Sequence, residues 1–514
     1  MAEVTVYDGA DCIGGNKVHL TFEREGRRQG IFFDFGLNYH KLGDYYQEFL
    51  QPRGARGIHD HVRMGLVPFI RNYRLDIVPQ DLDLSQAPAL EVAAVLVSHA
   101  HMDHMGHAAL LACEIPFVCS PTTAAIMKAM RDLGQGGFES EGPYTNLKAS
   151  RSRDGRVLSS TGCKTFQGRD FVLTEGWQDD LEILWGRCSA KNKAVVDGGL
   201  LEKDAVDVDF ESFPVDHSIY GATAFGVRTE RGYVIYTGDL RTHGMNGDRT
   251  LEFVERAAAL DPIALIIEGT TTSRAEAGGF TEGSVREICQ ADVEKEKGLV
   301  VADFSARHFE RLESFREVAR ATDRKLLVTP KDVYYLWALM CADGKDRLSG
   351  LGVYDALKAT KDGCEEFACE LMREELVDPA AVAAEPGRYV LAFSFYDMGN
   401  MLDIRPDGGT YIYSSSEAYS EEQVIDFRRL HQWVSRFGLE VKGFRMEVQE
   451  GMDVPIFDRR YHASGHASVE DLLAIVDGIG AERIIPVHTE DPRPFKKASG
   501  GQVVVPRVGA PISL

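Results

Sequence analysis

The sequence predicts an α/β protein in two parts, one set inside the other, and three observations point to it. Short apolar runs recur along the 514 residues, and four of them stop at or near a residue able to ligate a metal: 92–97 before His99, 233–236 before Asp239, 263–267 before Glu268 and 483–487 before His488. Between 271 and 437, strand and helix patterns alternate in the manner of parallel α/β units. From 438 to 514 the chain returns to the character of its first part. A chain of this length exceeds what one hydrophobic core usually supports. A first domain over 1–270 that resumes over 438–514, with a second over 271–437 set into it, accommodates all three observations.

The elements follow in order. Residues 4–7, 17–22 and 30–35 read as a meander, with a turn at Gly14-Gly15. No helical pattern follows those glycines, so they are expected to form a turn rather than a phosphate loop. Asp34-Phe35-Gly36 closes the third strand, and His40, His59 and His61 are expected at the surface. Residues 108–113 and 122–133 have helical spacing on either side of a short strand at 116–119. The Gly-rich, charged text from 134 to 212 reads as a long insertion with some β structure, placed to cover a site or to mediate assembly, for example as a homodimer. In the second part, helices at 281–297, 308–321, 332–340 and 421–437 alternate with strands at 299–304, 325–329, 389–393 and 409–414. The charged face of 308–325 is expected in solvent. Ser468 opens a capped helix whose apolar face ends at Gly480.

His99-Ala100-His101-Met102-Asp103-His104 is the densest chemical signal. Neutral imidazole is the commonest ligand for a zinc-like ion, carboxylate is its harder companion, and a catalytic site leaves a position open for water. In an extended loop His99, His101 and Asp103 would point one way and His104 the other, so two adjacent ions would share it. His217 and then Gly238-Asp239 follow, and a carboxylate at that strand end can bridge two ions. His466 lies just ahead of a helix start, where the dipole and free N–H groups favour phosphate. His462 and Ser464 are placed to bind a neighbouring or terminal phosphate. Arg241 and the turn Ser305-Ala306-Arg307-His308 are candidate substrate contacts, with salt bridging to surface acids as the competing role. His107 and His243 are expected to make structural hydrogen bonds.

Composition limits the partners. The net charge of −22 opposes non-specific nucleic-acid binding, so a polyanionic substrate must be held by local cations, metals or helix ends. Nine cysteines without a Cys-x-x-Cys pair, and no secretory leader at the first residues, imply reduced thiols in a cytoplasm. No apolar run approaches the ~20 residues of a membrane span.

The full set of motifs resembles the β-CASP nucleases of the metallo-β-lactamase superfamily, and within them the ribonuclease J-like group. It runs through His99-x-His101-x-Asp103-His104, His217, Gly238-Asp239, Glu268, the inserted α/β part, His462-x-Ser464-Gly465-His466 and Pro486-Val487-His488-Thr489-Glu490. The chain departs at Thr489, where many relatives have glycine. The resemblance implies a metallo-β-lactamase αββα sandwich with an inserted β-CASP α/β domain. It implies two Zn2+, with Mn2+ as the alternative: one held by His99, His101, His217 and Asp239, the other by Asp103, His104, Asp239 and His488. Asp103, Glu268 and His466 would be the catalytic group, Glu268 orienting a ligand and His466 facing the scissile phosphate, while His462 and Ser464 would bind substrate.

The expected function is hydrolysis of single-stranded nucleic acid, RNA rather than DNA, by a metal-activated water in exo- or endonucleolytic mode. The competing expectation is a small-molecule metallohydrolase of the same fold cutting a thioester, lactone or cyclic phosphodiester, which the −22 charge favours. A non-catalytic scaffold would have lost ligands, and none is missing.

Overall fold

Alternation of side chains across short strands builds two sheets packed face to face. In the computed structural model, which describes residues 2–514 apart from 135–136, 191, 274–278, 418–420 and 498–500, the first sheet has eight strands. Their order is Leu200–Leu201, Phe171–Leu173, Phe117–Cys119, Val95–Leu96, Arg27–Phe33, Lys17–Arg24, Glu3–Asp8 and Pro511–Ser513. The second has six, in the order Phe210–Pro214, Thr223–Thr229, Gly232–Tyr236, Ala264–Glu268, Arg483–Val487 and Gln502–Val503. Val4, Leu20, Phe33, Leu96 and Val118 of the first meet Phe225, Val234, Tyr236, Ile266 and Ile485 of the second in one buried core.

The alternate residues point outward and are covered by helices. Phe32, Val95, Phe117 and Cys119 share a core with helix Pro121–Leu133. Ile235, Leu265 and Ile484 share another with helices Gly247–Ala258 and Val469–Ile479, through Phe253, Leu472 and Val476. The layers are therefore helix, sheet, sheet, helix, the αββα sandwich that the motifs imply.

The third sheet is different in kind. Its seven strands, Leu376–Val377, Gly352–Tyr354, Lys325–Val328, Tyr389–Ala392, Leu299–Asp303, Gly409–Tyr413 and Leu439–Lys442, are all parallel. Strands buried on both faces read as continuous apolar runs, as Leu299-Val300-Val301-Ala302 does. Helices Glu282–Lys295, Phe309–Ala321 and Pro330–Asp343 cover one face and Glu421–Arg436 the other. Helix Pro121–Leu133, capped by the Ser120 side chain, joins this sheet to the sandwich by packing on Pro330–Asp343, where the Tyr334 hydroxyl donates to Asp132 at 2.7 Å.

Several expectations need correction. Residues 108–113 hold only a 3-10 turn, Ala108–Leu110, because the run is too short to repeat a helical face. The stretch 134–212 is not wholly an insertion: Phe171–Leu173 and Leu200–Leu201 extend the eight-stranded sheet in parallel from Phe117–Cys119, and Phe171-Val172-Leu173 is buried on both faces. His61 is buried, edge-on to His107, whereas His40 is exposed. In the charged helix Phe309–Ala321, Glu310 and Arg311 are buried rather than solvated. Among the described residues no helix is long and apolar enough to cross a membrane.

Candidate metal centre

Each ligand-type residue reaches the centre from the end of a sandwich strand. The segment after Val95–Leu96 carries His99 to His104, with Met102–Met105 coiled into one helical turn, so the extended geometry expected for these side chains does not occur. His217 follows Phe210–Pro214, Asp239 follows Gly232–Tyr236, Glu268 ends Ala264–Glu268 and His488 follows Arg483–Val487. Two ligand sets form, His99 with His101 and His217, and Asp103 with His104, Asp239 and His488, in each of which one atom per residue lies within 4.8 Å of all the others.

The distances fit cations. His101 Nδ1 is 3.1 Å from His99 Nε2 and 3.1 Å from His217 Nε2. Ligands at zinc–nitrogen bond length on a tetrahedron stand roughly 3.3 Å apart. Asp239 links the sets: its Oδ2 is 3.8 Å from His99 Nε2, 3.9 Å from His217 Nε2 and 3.1 Å from His104 Nε2, while Oδ1 is 3.8 Å from His488 Nδ1. His488 Nε2 lies 3.8 Å from Asp103 Oδ2. Three buried atoms, His104 Nε2, Asp239 Oδ1 and His488 Nδ1, make no well-formed hydrogen bond, although His104 Nε2 is ion-paired with Asp239 Oδ2 at 3.1 Å. Leaving such groups without hydrogen bonds is costly, and a pair of divalent ions would satisfy all three.

Neighbours fix which nitrogen of each ring faces inward. His99 Nδ1 donates to Ser98 Oγ at 3.0 Å, His217 Nδ1 to the Gly465 carbonyl at 2.5 Å and His104 Nδ1 to Asp34 Oδ2 at 2.7 Å, leaving each Nε2 as the inward atom. Asp34 is a hub that the sequence did not reveal. It also accepts from Ser98 N and Oγ, both at 2.7 Å, and from the Tyr236 hydroxyl at 2.6 Å. Its φ of 55° and that of His488, 53°, place two non-glycine residues in the left-handed region at one site, a strain of order 1 kcal/mol each. Gly36 permits the ligand loop to approach, since a Cβ there would stand 1.7 Å from the Asp103 carbonyl oxygen.

Electrostatics separate the two sets. Burial holds His99 and His217 well below the usual histidine range and pushes His101 down to about 3, so these rings are neutral and ready to ligate. Burial opposes charge on His104 too, but Asp239, Asp103 and Asp34 outweigh it and raise that ring well above the usual range. Burial would raise Asp239, yet His104, His488 and His466 hold it well below the usual carboxylate range.

His466 stands at the rim. Its side chain keeps 21% exposure, against 1% for Glu268 and 2% for Asp239. Its Nδ1 donates to Glu268, 3.1 and 3.2 Å from the two oxygens, and lies 3.7 Å from Asp239 Oδ2. Glu268 further accepts from Leu240 N at 2.9 Å and from Thr270 N and Oγ1 at 3.2 and 2.6 Å. Its oxygens are thus committed to these donors and to the His466 ring. Asp239, Glu268 and His466 are also close enough to hold a cation between them, but that crowded acceptor set favours orientation over ligation.

Other candidates fall elsewhere. Ser464 Oγ accepts from His466 N at 3.1 Å and its carbonyl accepts from His243 Nε2 at 2.9 Å, so His243 makes its expected structural bond. His462 is half-buried, with Nδ1 unpartnered and its ring pushed down to about 3 by burial and the nearby Arg311. Arg241 is fully buried among Asp216, Glu282 and Glu310 and cannot contact substrate, which corrects that expectation. Its partners are buried acids, not the surface acids expected. His107 is buried with both ring nitrogens unpartnered, so the expected hydrogen-bonding role of its ring is not realised. His308 caps helix Phe309–Ala321, while Arg307 is partly exposed with Nη1 3.3 Å from Met130 Sδ.

The chain is similar to several known proteins. The family described as the Zn-dependent metallo-hydrolase RNA specificity domain matches residues 459–493, a stretch holding His462, Ser464, His466 and His488. Ribonuclease J of Mycolicibacterium smegmatis is 22% identical over 284 residues, 54% of this chain and 46% of that protein, so the match spans about half of the curated relative's length. A crystal structure of a protein of unknown function from Enterococcus faecalis V583 superposes over 100% of both chains with a TM-score of 0.67 at 20% identity, which establishes a shared fold. The metallo-beta-lactamase fold protein YhfI of Bacillus subtilis covers 56% of this chain and 81% of its own at 13% identity, with a TM-score of 0.22 that is too low to bear on the fold. By its αββα sandwich, its paired ligand sets and the matched RNA specificity segment, the chain is similar to the ribonuclease J-like members of the metallo-β-lactamase superfamily.

Proposed function

We propose that the protein is a two-metal phosphodiesterase of the β-CASP kind that hydrolyses single-stranded nucleic acid, RNA in preference to DNA. In this reading 1–270 with 438–514 form the hydrolase part and 271–437 the inserted part. The observation that carries it is the pair of ligand sets joined through Asp239 beneath a partly exposed His466. His99, His101, His217 and Asp239 would hold one ion, and Asp103, His104, Asp239 and His488 the other. Two divalent ions so placed supply Lewis acidity toward water and phosphate, and offset the repulsion between a phosphodiester and a protein of net charge −22.

The chain's own groups do the rest. Asp239 spaces the two sets, and Asp34 holds His104 in register. Glu268 keeps the His466 Nδ1 proton engaged and fixes the ring over the centre, where it delivers a proton or stabilises charge at the leaving oxygen. Asp103, whose side chain is 25% exposed, marks the open side from which substrate enters. The RNA specificity match over 459–493 supports RNA as the polymer.

The −22 charge favours the second reading, a small-molecule metallohydrolase cutting a thioester, lactone or cyclic phosphodiester. One experiment separates them: end-labelled single-stranded RNA and DNA, each with a 5′-monophosphate or 5′-hydroxyl, are incubated with the zinc- or manganese-loaded protein beside an Asp239→Ala control. Cleavage of RNA that vanishes in the control supports the nuclease, and label position reports its mode. A thioester turned over in preference to every polynucleotide would replace it with the second reading.

A further inference from the structure

Beneath the centre lies a buried ion network that the ligand scheme does not use. Arg241, two residues past Asp239, is its middle. Arg241 Nε is 3.1 Å from Asp216 Oδ2, and Asp216 immediately precedes His217. Nη1 donates to the Ser464 carbonyl at 3.1 Å, two residues before His466, and to Glu282 Oε1 at 3.1 Å, while Nη2 donates to Glu310. The backbone repeats the connection, since Arg241 N donates to the Asp216 carbonyl at 2.8 Å and Thr250 Oγ1 to the Arg241 carbonyl at 2.7 Å.

Glu282 and Glu310 belong to the first turns of helices Glu282–Lys295 and Phe309–Ala321, which cover the seven-stranded sheet. Arg311 doubles the link, donating to Glu282 Oε2 at 2.9 Å and to the Tyr461 carbonyl at 3.2 Å, just ahead of His462. One guanidinium thus grips the chain beside His217, Asp239 and His466 together with two helices of the other sheet. Replacing such buried ion groups by apolar ones often leaves stability unchanged or improves it, so the contacts of this one are better read as geometric than as stabilising.

We propose that Arg241 is a positioning residue, fixing the distance between the His466 loop and the two ligand sets by anchoring both to the helices over the seven-stranded sheet. The inference rests on the proposed phosphodiesterase reading for its kinetic arm only. Only a planar fork meets Asp216, Glu282, Glu310 and the Ser464 carbonyl at once, and a lysine retains the charge but loses that geometry.

The test uses the full chain loaded with Co2+, whose visible absorption reports coordination geometry without substrate, and bis(p-nitrophenyl) phosphate as a minimal phosphodiester. Arg241→Lys is expected to bind the same number of ions with an altered visible spectrum. Its kcat is expected to fall about tenfold or more while KM stays within about twofold, the signature of lost transition-state positioning rather than lost binding. Glu310→Gln, which keeps the arginine but weakens one anchor, is expected to shift both readouts the same way by less. If Arg241→Lys does not fold, Glu310→Gln carries the test alone. A folded variant with wild-type spectrum and kcat overturns the proposal, as does loss of kcat with a matching loss of bound metal. Wild-type protein that binds cobalt yet never turns over the phosphodiester would sink the nuclease reading, and the spectra would still decide the role of Arg241.

Discussion

The sandwich and the seven-stranded sheet both place polar residues at the ends of parallel strands, yet among the described residues the candidate metal-ligand sets gather at the sandwich alone. At the sandwich strand ends, His104 Nε2, Asp239 Oδ1 and His488 Nδ1 face one another without a well-formed hydrogen bond. At the ends of the seven-stranded sheet three acids are paired within the protein. Asp303 accepts from the Tyr411 hydroxyl, Asp332 from Thr329 N and Oγ1 at 2.9 and 2.8 Å, and Asp397 from Ser394 N and Oγ at 3.0 and 2.7 Å. The difference teaches that topology supplies the platform for a site, and that convergence of several ligand-type atoms, rather than any one unpartnered atom, marks it: the buried His107 ring is unpartnered too, yet belongs to none of the ligand sets.

The comparison breaks most sharply at Asp239. Asp239→Ala removes the carboxylate that belongs to the second set and stands 3.8 and 3.9 Å from His99 and His217 of the first, so metal analysis by mass spectrometry should find the second ion lost and the first weakened, with phosphodiester hydrolysis down by about 10⁴-fold or more. Retention of both ions at full activity would show that the sets are not joined through it. His466→Ala should leave metal content intact and lower kcat by about 10²- to 10³-fold, within the usual range for a general acid. Metal loss in that variant would instead make His466 a ligand.

A smaller effect is expected behind the ligands. Asp34→Asn can still accept hydrogen bonds but no longer offers His104 a charge, and zinc affinity measured by chelator competition should fall about 10- to 100-fold. The last prediction sharpens the comparison from the other side. Burial, with Asp397 adding to it, raises Asp303 from 3.8 to about 7, so its contribution to stability is full below 3.8 and is lost as pH rises through 7. Asp303→Asn should therefore gain stability over wild type, on the order of 4 kcal/mol more at pH 8 than at pH 3.5, in urea unfolding, with cleavage unaffected. An equal difference at both pH values would mean that Asp303 does not titrate in the fold.

Much of this was legible because ligand chemistry and strand patterning are local. The run 99–104, the strands ending at Asp239 and Glu268, and the Ser468 cap with Gly480 closing Val469–Ile479 could be read from neighbouring residues, and the structure gathers the ligand candidates within reach of one another. Asp34 was passed over because an acid closing a strand looks like any turn residue. Its role depends on Ser98, His104 and Tyr236, which lie 64 to 202 positions away. Arg241 was left between two roles for the same reason: a lone arginine beside a ligand suggests phosphate or an ion pair alike, and only the packing of two distant helices shows it sealed among buried acids.

By itself, then, the sequence determined which residue types leave which strands, since side-chain alternation and capping act over a few residues. The tertiary structure alone decided burial and partnership. It set which histidines stay neutral, which nitrogen of each ring faces inward, which acids are consumed by arginines, and that Phe171–Leu173 joins the main sheet. Desolvation and charge pairing depend on every chain segment that arrives at a point, and no short window of sequence contains them.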